Sequence, residues 1–135
     1  MKYLTDKPID LSKVLSGFHN PKSGAIVLFT GETRDYSKDR VVKFLEYESH
    51  IEMAEKVIGE ILLEATERWK LNGVICIHRL GIVMPAESAV VVVTSSPHRK
   101  EAYEANQFII DSVKKNAPIW KKEVYSDETS GWKEG

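Results

Sequence analysis

The chain has 135 residues, of which 42% are hydrophobic and 29% charged, with 19 Lys+Arg against 20 Asp+Glu and a formal net charge of −1. This is the composition of an ordinary soluble globular protein, long enough for one domain with a hydrophobic core. The near-neutral balance excludes non-specific nucleic-acid binding through a global basic field and leaves room only for a local basic patch.

In chain order, DKPIDLSKVLSGFHNP predicts a short helix from Ile9 to Phe18, stopped by Asn20-Pro21. SGAIVLFTG predicts a buried strand, Ala25 to Thr30, with Gly24 and Gly31 at its ends. ETRDYSKDR is polar and reads as a loop, and VVKFLEYES as a strand from about Val41 to Glu48. In SHIEMAEKVIGEILLEATERWKLNG, Ile51, Ala54, Ile58, Ile61, Leu62, Ala65 and Trp69 recur at helical intervals. Ser49 and Glu52 have capping-box spacing, and Gly73 is the expected left-handed residue past the helix end.

GVICIHRLG and ESAVVVVTS read as two strands joined through IVMPA. A second helix follows, with Ser96 as N-cap and Pro97 at the first helical position. Ala102, Ala105, Ile109 and Val113 line one of its faces, and Ala117-Pro118 ends it. IWKKEVY alternates as a last strand, and the tail SDETSGWKEG is polar apart from Trp132. The order β-β-α-β-β-α-β after a short helix predicts an α+β fold, a mainly antiparallel sheet with helices packed on one face. No repeat or linker interrupts residues 1–135, which are expected to form one domain.

The lone cysteine, Cys76, lies in an apolar run and reads as a buried core residue; no intrachain disulfide can form. MKYLTDKPIDLSK lacks the apolar core of a signal peptide, and no apolar run approaches the ~20 residues of a membrane span. A cytoplasmic location is expected. His19, His50, His78 and His98 are scattered without metal-ligand spacing, so no metal is expected, and His78 reads as structural.

The residues that attract chemical notice are basic and sit at element ends. His98, Arg99 and Lys100 open the second helix, where cations are mildly unfavourable. They are either solvated or hold an anion together with the backbone N–H groups, Arg99 offering a bidentate fork. His98 is also of the residue type that donates to a phosphate or shuttles a proton. On the last strand Ile119, Lys121, Glu123 and Tyr125 share one face, and Trp120, Lys122 and Val124 the other. Lys121 is then partly buried and poised for acid–base work, or a surface lysine covering apolar area with its stem. Lys114 and Lys115 complement the helix dipole, which accounts for them structurally. Arg34 follows the glycine-bounded strand in a loop. Basic residues gathered in a neutral chain favour a small anionic ligand over a polymer. No Walker loop, G-x-G-x-x-G or G-x-S-x-G occurs.

GAIVLFTGETR, LEYESH, HRLG, ESAVVVVTSSPHRKEAYEA and KKNAPIWKKEVY, in this order from about Ser23 to Trp132, resemble the large, catalytic subunit of molybdopterin synthase, the MoaE family. The resemblance implies an α/β hammerhead fold and a homodimer that binds a small ubiquitin-like subunit at each end, giving a heterotetramer. That subunit's C-terminal Gly-Gly tail carries a thiocarboxylate, and its sulfur passes in two transfers to cyclic pyranopterin monophosphate, forming the dithiolene of molybdopterin. No cofactor of the chain's own is implied.

Family binding residues fall on Glu32, Thr33, Arg34, His98, Arg99, Lys114, Lys121, Lys122 and Glu123. Lys121 is the implied chief catalytic residue and Lys114 its assistant. Arg34, His98 and Arg99 are implied to neutralise the phosphate, the last two in the neighbouring protomer's pocket. The chain departs from the family in having Thr33 where valine is frequent, and in lacking an Asn-x-Gly turn in DYSKDR. The alternative is a non-catalytic module that binds a phosphorylated ligand or a partner's tail, which needs Arg34 and Arg99 but no poised lysine. A single-strand nucleic-acid binder would need stacking aromatics and basic charge that the sequence does not display.

Overall fold

The computed structural model describes residues 1–134. Its elements are β1 (Leu4–Thr5), α1 (Leu11–Ser16), β2 (Ala25–Glu32), β3 (Tyr36–Ser37), β4 (Arg40–Ser49), α2 (Ile51–Trp69), β5 (Gly73–Arg79), β6 (Gly81–Val83), β7 (Ser88–Ser96), α3 (Arg99–Asn116), β8 (Ile119–Tyr125) and β9 (Ser130–Glu134). One sheet has the order β1-β5-β7-β2 and is antiparallel except where β1 runs parallel to β5. The second has the order β3-β4-β8-β9, with β6 also paired to β4. This is the mixed α+β, mainly antiparallel architecture expected.

The valine run explains how the first sheet is covered. Every residue of β7 is buried, as in a strand packed on both faces. Val90 and Val92 join Ile58, Ala105 and Ile109 in the core under α2 and α3, while Val91 and Val93 pack with Phe18, Leu11 and Val14 on the opposite side. Helices therefore cover both faces of this sheet, not one: α1 seals the side away from α2 and α3. Asn106 fastens α3 to the sheet by donating to the carbonyls of Val27 and Val92 at 3.1 and 3.0 Å.

Several local expectations are corrected by pairing that only the folded chain supplies. The loop after Arg34 contains β3, which pairs Tyr36 with Val41 and Ser37 with Arg40. The intervening turn is tight, with Lys38 at φ 55 where Asn or Gly is usual. The IVMPA connection contains β6, and the polar tail contains β9, paired along β8. Ser49 does not cap α2: it is still in β4, and His50 caps by accepting the Met53 N–H at Nδ1, 3.2 Å. Lys70, not Gly73, takes the left-handed position after α2. Gly73 opens β5 because the Phe18 ring and the Ser95 hydroxyl crowd the space a Cβ would take. His98, not Ser96, is the N-cap of α3, since Ser96 remains in β7 and spends its hydroxyl on the His98 carbonyl.

The N-terminal strand hangs on one carboxylate. Glu55 of α2 accepts the backbone N–H groups of Lys2, Tyr3 and Leu4, each at 2.8 Å. These bonds hold the Glu55 carboxyl below its ordinary value against the opposing effect of burial. Glu55→Ala is expected to cost about 1–2 kcal/mol, because three charge-assisted bonds at a partly exposed site are lost together. Urea unfolding checks the cost, and amide hydrogen exchange checks whether the loosening is confined to β1.

Candidate active site

The two sheets meet at a cavity of about 100 Å³ lined by Gly31, Glu32, Arg34, Tyr36, Val42, Leu45, Tyr47, Ala89, Val90, Lys114, Lys121 and Glu123. The strand period puts Lys121 and Glu123 there together. In the β4–β8 ladder Leu45 faces Glu123 and Tyr47 faces Lys121, so these four side chains share one surface. Lys114 reaches the cavity from the last turn of α3, which Ala117-Pro118 ends as expected.

Arg34 is placed by a clamp. The pairing of β2 with β7 shifts register between Gly31 and Glu32. The Thr33 N–H then donates to the Glu87 carbonyl, and the Ala86 N–H donates to the Thr33 carbonyl, at 3.1 and 2.9 Å. The turn containing Ala86 is held by Glu87, which pairs with Arg79 at 3.1 Å and accepts the Met84 N–H at 2.8 Å. The Arg34 guanidinium stacks over the Tyr36 ring, 5.1 Å from its centre.

Three cationic side chains, Arg34, Lys114 and Lys121, thus face two carboxylates, Glu32 and Glu123. Burial, reinforced by the charge of Lys121, lowers the proton affinity of Lys114. Burial alone would raise the Glu123 carboxyl, but hydrogen bonds from Tyr125 (2.7 Å) and Ser37 and the charges of Lys121 and Lys133 hold it below its ordinary value. Glu123 therefore stays ionised and ties β8 to the β3 hairpin.

Behind the lysines lies His78, 3% exposed, its Nδ1 2.9 Å from the Arg79 carbonyl and its ring edge-on to Tyr47. Burial, then the charges of Lys114 and Lys121, push its pKa down to about 4, against a bond to Arg79 that opposes the shift. The ring is neutral at neutral pH. Cys76, 1% exposed with its thiol pushed up to about 12 by burial, is a core residue and no nucleophile. Among the described residues no group of three or more His, Cys, Asp or Glu side chains is placed to hold a metal ion.

Of the residues singled out in the sequence, Glu32, Arg34, Lys114, Lys121 and Glu123 come together. Four others lie elsewhere. Thr33 is buried beside the cavity, its hydroxyl without a hydrogen-bond partner among the described residues. Lys122 is on the opposite face of β8, paired with Glu46 at 3.2 Å and lying over the Trp132 ring. His98 and Arg99 open α3 at its far end; the helical rise from Arg99 to Lys114 is about 22 Å. Tyr36 and Tyr47 line the cavity without having been singled out. The alternation along β4 carried the signal for Tyr47, since it shares a face with Leu45. Nothing local marked Tyr36, whose strand exists only through its pairing with β4.

A family model described as MoaE protein matches residues 4–116. The molybdopterin synthase catalytic subunit of Staphylococcus carnosus is 45% identical over 108 residues, 80% of this chain and 72% of that one. The crystal structure of molybdopterin synthase from Staphylococcus aureus superposes with a TM-score of 0.88 at 39% identity, covering 98% of this chain and 96% of that chain. A complex of subunits 1 and 2 of molybdopterin-converting factor from Helicobacter pylori shares the fold, with a TM-score of 0.76 at 23% identity over 93% of this chain and 85% of that one.

Proposed function

The chain belongs to the MoaE protein family, and from that premise we propose that it is the catalytic subunit of a molybdopterin synthase. It takes sulfur from the C-terminal thiocarboxylate of a small ubiquitin-like subunit and places it on cyclic pyranopterin monophosphate, twice, to form the dithiolene. The observation that carries this reading is the cavity in which Lys121 and Lys114 converge beside Arg34.

The chemistry sets what the residues must do. In each transfer the thiocarboxylate sulfur bonds to a side-chain carbon of the pterin, which gives up its carbon–oxygen bond; the tail's carbon–sulfur bond then breaks and sulfur stays with the pterin. The acyl carbon takes an oxygen from water and leaves as a carboxylate. Addition of water puts negative charge on the acyl oxygen, and the Lys121 ammonium stabilises that charge. Lys114, whose proton affinity burial lowers, is in the free-amine form more often than a surface lysine, and in that form it takes a proton from the attacking water. Arg34 pairs with the substrate phosphate by its guanidinium fork. Glu32 and Glu123 orient these cations and keep the site from becoming a bare cationic hole.

A volume of about 100 Å³ is below the 300–1,000 Å³ typical of small-molecule pockets. It suits a glycine tail, and it calls for a second chain to complete the place of a bicyclic substrate. In a homodimer, His98 and Arg99 at the far end of α3 are the groups that serve the neighbour's cavity, with Thr33 supporting Arg34 from beneath. The assembly is a heterotetramer with two small subunits, working in the cytoplasm. No helix among the described residues is long and apolar enough to cross a membrane.

The test is reconstitution of the purified chain with the thiocarboxylated small subunit and cyclic pyranopterin monophosphate, assayed for dithiolene. Product that depends on this chain is expected. A stable complex without product would leave only a binding module. In the same assay Lys122→Ala is expected to keep turnover within about threefold of wild type. Its ammonium faces Glu46 on the side of β8 away from the cavity, and a partly exposed pair of that kind contributes little.

A further inference from the structure

We propose that Tyr47 is a further catalytic residue, its phenol donating a hydrogen bond to the acyl oxygen of the tail while water adds to the acyl carbon. The proposal rests on the sulfur-transfer reading above and adds a second donor to the one Lys121 supplies. The hydroxyl keeps its proton throughout, so the step needs no other reactant: the bond strengthens as charge grows on the acyl oxygen and relaxes when the carboxylate leaves.

Placement is the first argument. Tyr47 lines the cavity and sits directly opposite Lys121 in the β4–β8 ladder. Directly opposed residues of an antiparallel pair have Cβ atoms about 4.5–5.5 Å apart. An oxygen held by the Lys121 ammonium is therefore in reach of the neighbouring ring's hydroxyl.

Rigidity is the second. Tyr47 is 5% exposed, and its ring packs edge-on against His78, centres 4.8 Å apart at 70°. His78 is itself anchored to the Arg79 carbonyl. A donor fixed before the reaction costs no reorganisation when charge develops.

The third argument separates this tyrosine from the two others nearby. Tyr125 gives its hydroxyl to Glu123 at 2.7 Å, and Tyr36 is 53% exposed and stacks under Arg34. Burial, then the charge of Glu123, pushes the Tyr47 hydroxyl up to about 12, so it keeps its proton at neutral pH.

The experiment compares wild type, Tyr47→Phe and a fluorinated tyrosine at position 47 in the reconstituted assembly. Removal of one such donor typically lowers kcat by 10²–10³, so Tyr47→Phe is expected to lose about 10²-fold in kcat. The KM for the pterin and the affinity for the small subunit should stay within about threefold. The fluorinated residue, which keeps a hydroxyl donor in the same place, is expected to restore most of the turnover that Tyr47→Phe loses. A kcat for Tyr47→Phe within threefold of wild type overturns the proposal, as does a fluorinated residue that restores none of the lost turnover. No product from the wild-type assembly overturns the sulfur-transfer reading and this proposal together. Product from wild type with an unaffected Tyr47→Phe overturns only this one.

Discussion

Lys121→Ala is expected to lower dithiolene formation by at least about 10²-fold while leaving the small subunit bound. The magnitude follows from the position of the charge. Lys121 is half-buried on the cavity side of β8, flanked by Glu123 two residues on and opposed by Tyr47 across the ladder. At a half-buried position a cation aimed at a developing oxyanion is worth more than the same cation on the surface. The comparison with Lys122→Ala removes the objection that any lost lysine would do, because the neighbouring side chain belongs to the same strand and faces the other way. Turnover in single-turnover mode and small-subunit affinity by titration calorimetry are the two measurements. Loss of both together would make Lys121 a docking residue. Unchanged turnover would sink the role assigned to it.

The contrast between these two lysines shows what kind of information the sequence carried. Alternation along IWKKEVY is enough by itself to separate Lys121 from Lys122, because a strand has period two. The helix of Ala102, Ala105, Ile109 and Val113 and its stop at Ala117-Pro118 are equally local, and the fold reproduces them. What local pattern does not carry is pairing. β3, β6 and β9 are short or polar, and they are strands only because β4 and β8 present edges to them. Lys114 makes the same point within the site. Its place at a helix end is fully accounted for by the dipole, and only the approach of α3 to β8 turns it into half of a lysine pair. Ser49 and Ser96 lose their expected capping roles for the same reason, since each is held in a strand that continues one or more residues beyond the local signal. The site residues left apart, His98 and Arg99, are separated from the cavity by the length of a rigid helix, so a single chain cannot bring them in.

Acidification is expected to weaken the fold well before the carboxylates titrate, through His78. In the unfolded chain this imidazole takes a proton near its ordinary value of 6.5, and in the folded chain only near 4. Between those values the unfolded state binds more protons, so stability falls as pH falls through the window. The side chain is only 3% exposed, so solvent screening takes little from the effect. At about 1.4 kcal/mol per pH unit, roughly 2 kcal/mol should be gone by about pH 5, and about 3 kcal/mol once the window is crossed. The carboxyls held low by their partners, Glu55, Glu87, Glu123 and Asp127, add their losses only as pH falls below about 4.5 toward their folded values. The interval from about pH 6.5 to 5 therefore isolates the histidine. His78→Phe keeps an aromatic edge against Tyr47 and has nothing to protonate. Its stability at neutral pH should drop with the lost bond to the Arg79 carbonyl, but its slope across the interval should vanish. Urea midpoints for both proteins at about pH 7 and pH 5 decide the matter: equal slopes, or a wild type that is flat, would show that the ring behind the two lysines does not stay neutral. A charged ring there would stand against Lys114 and Lys121 from the rear of the cavity, so the same neutrality that stabilises the fold is what lets two lysines share one small site.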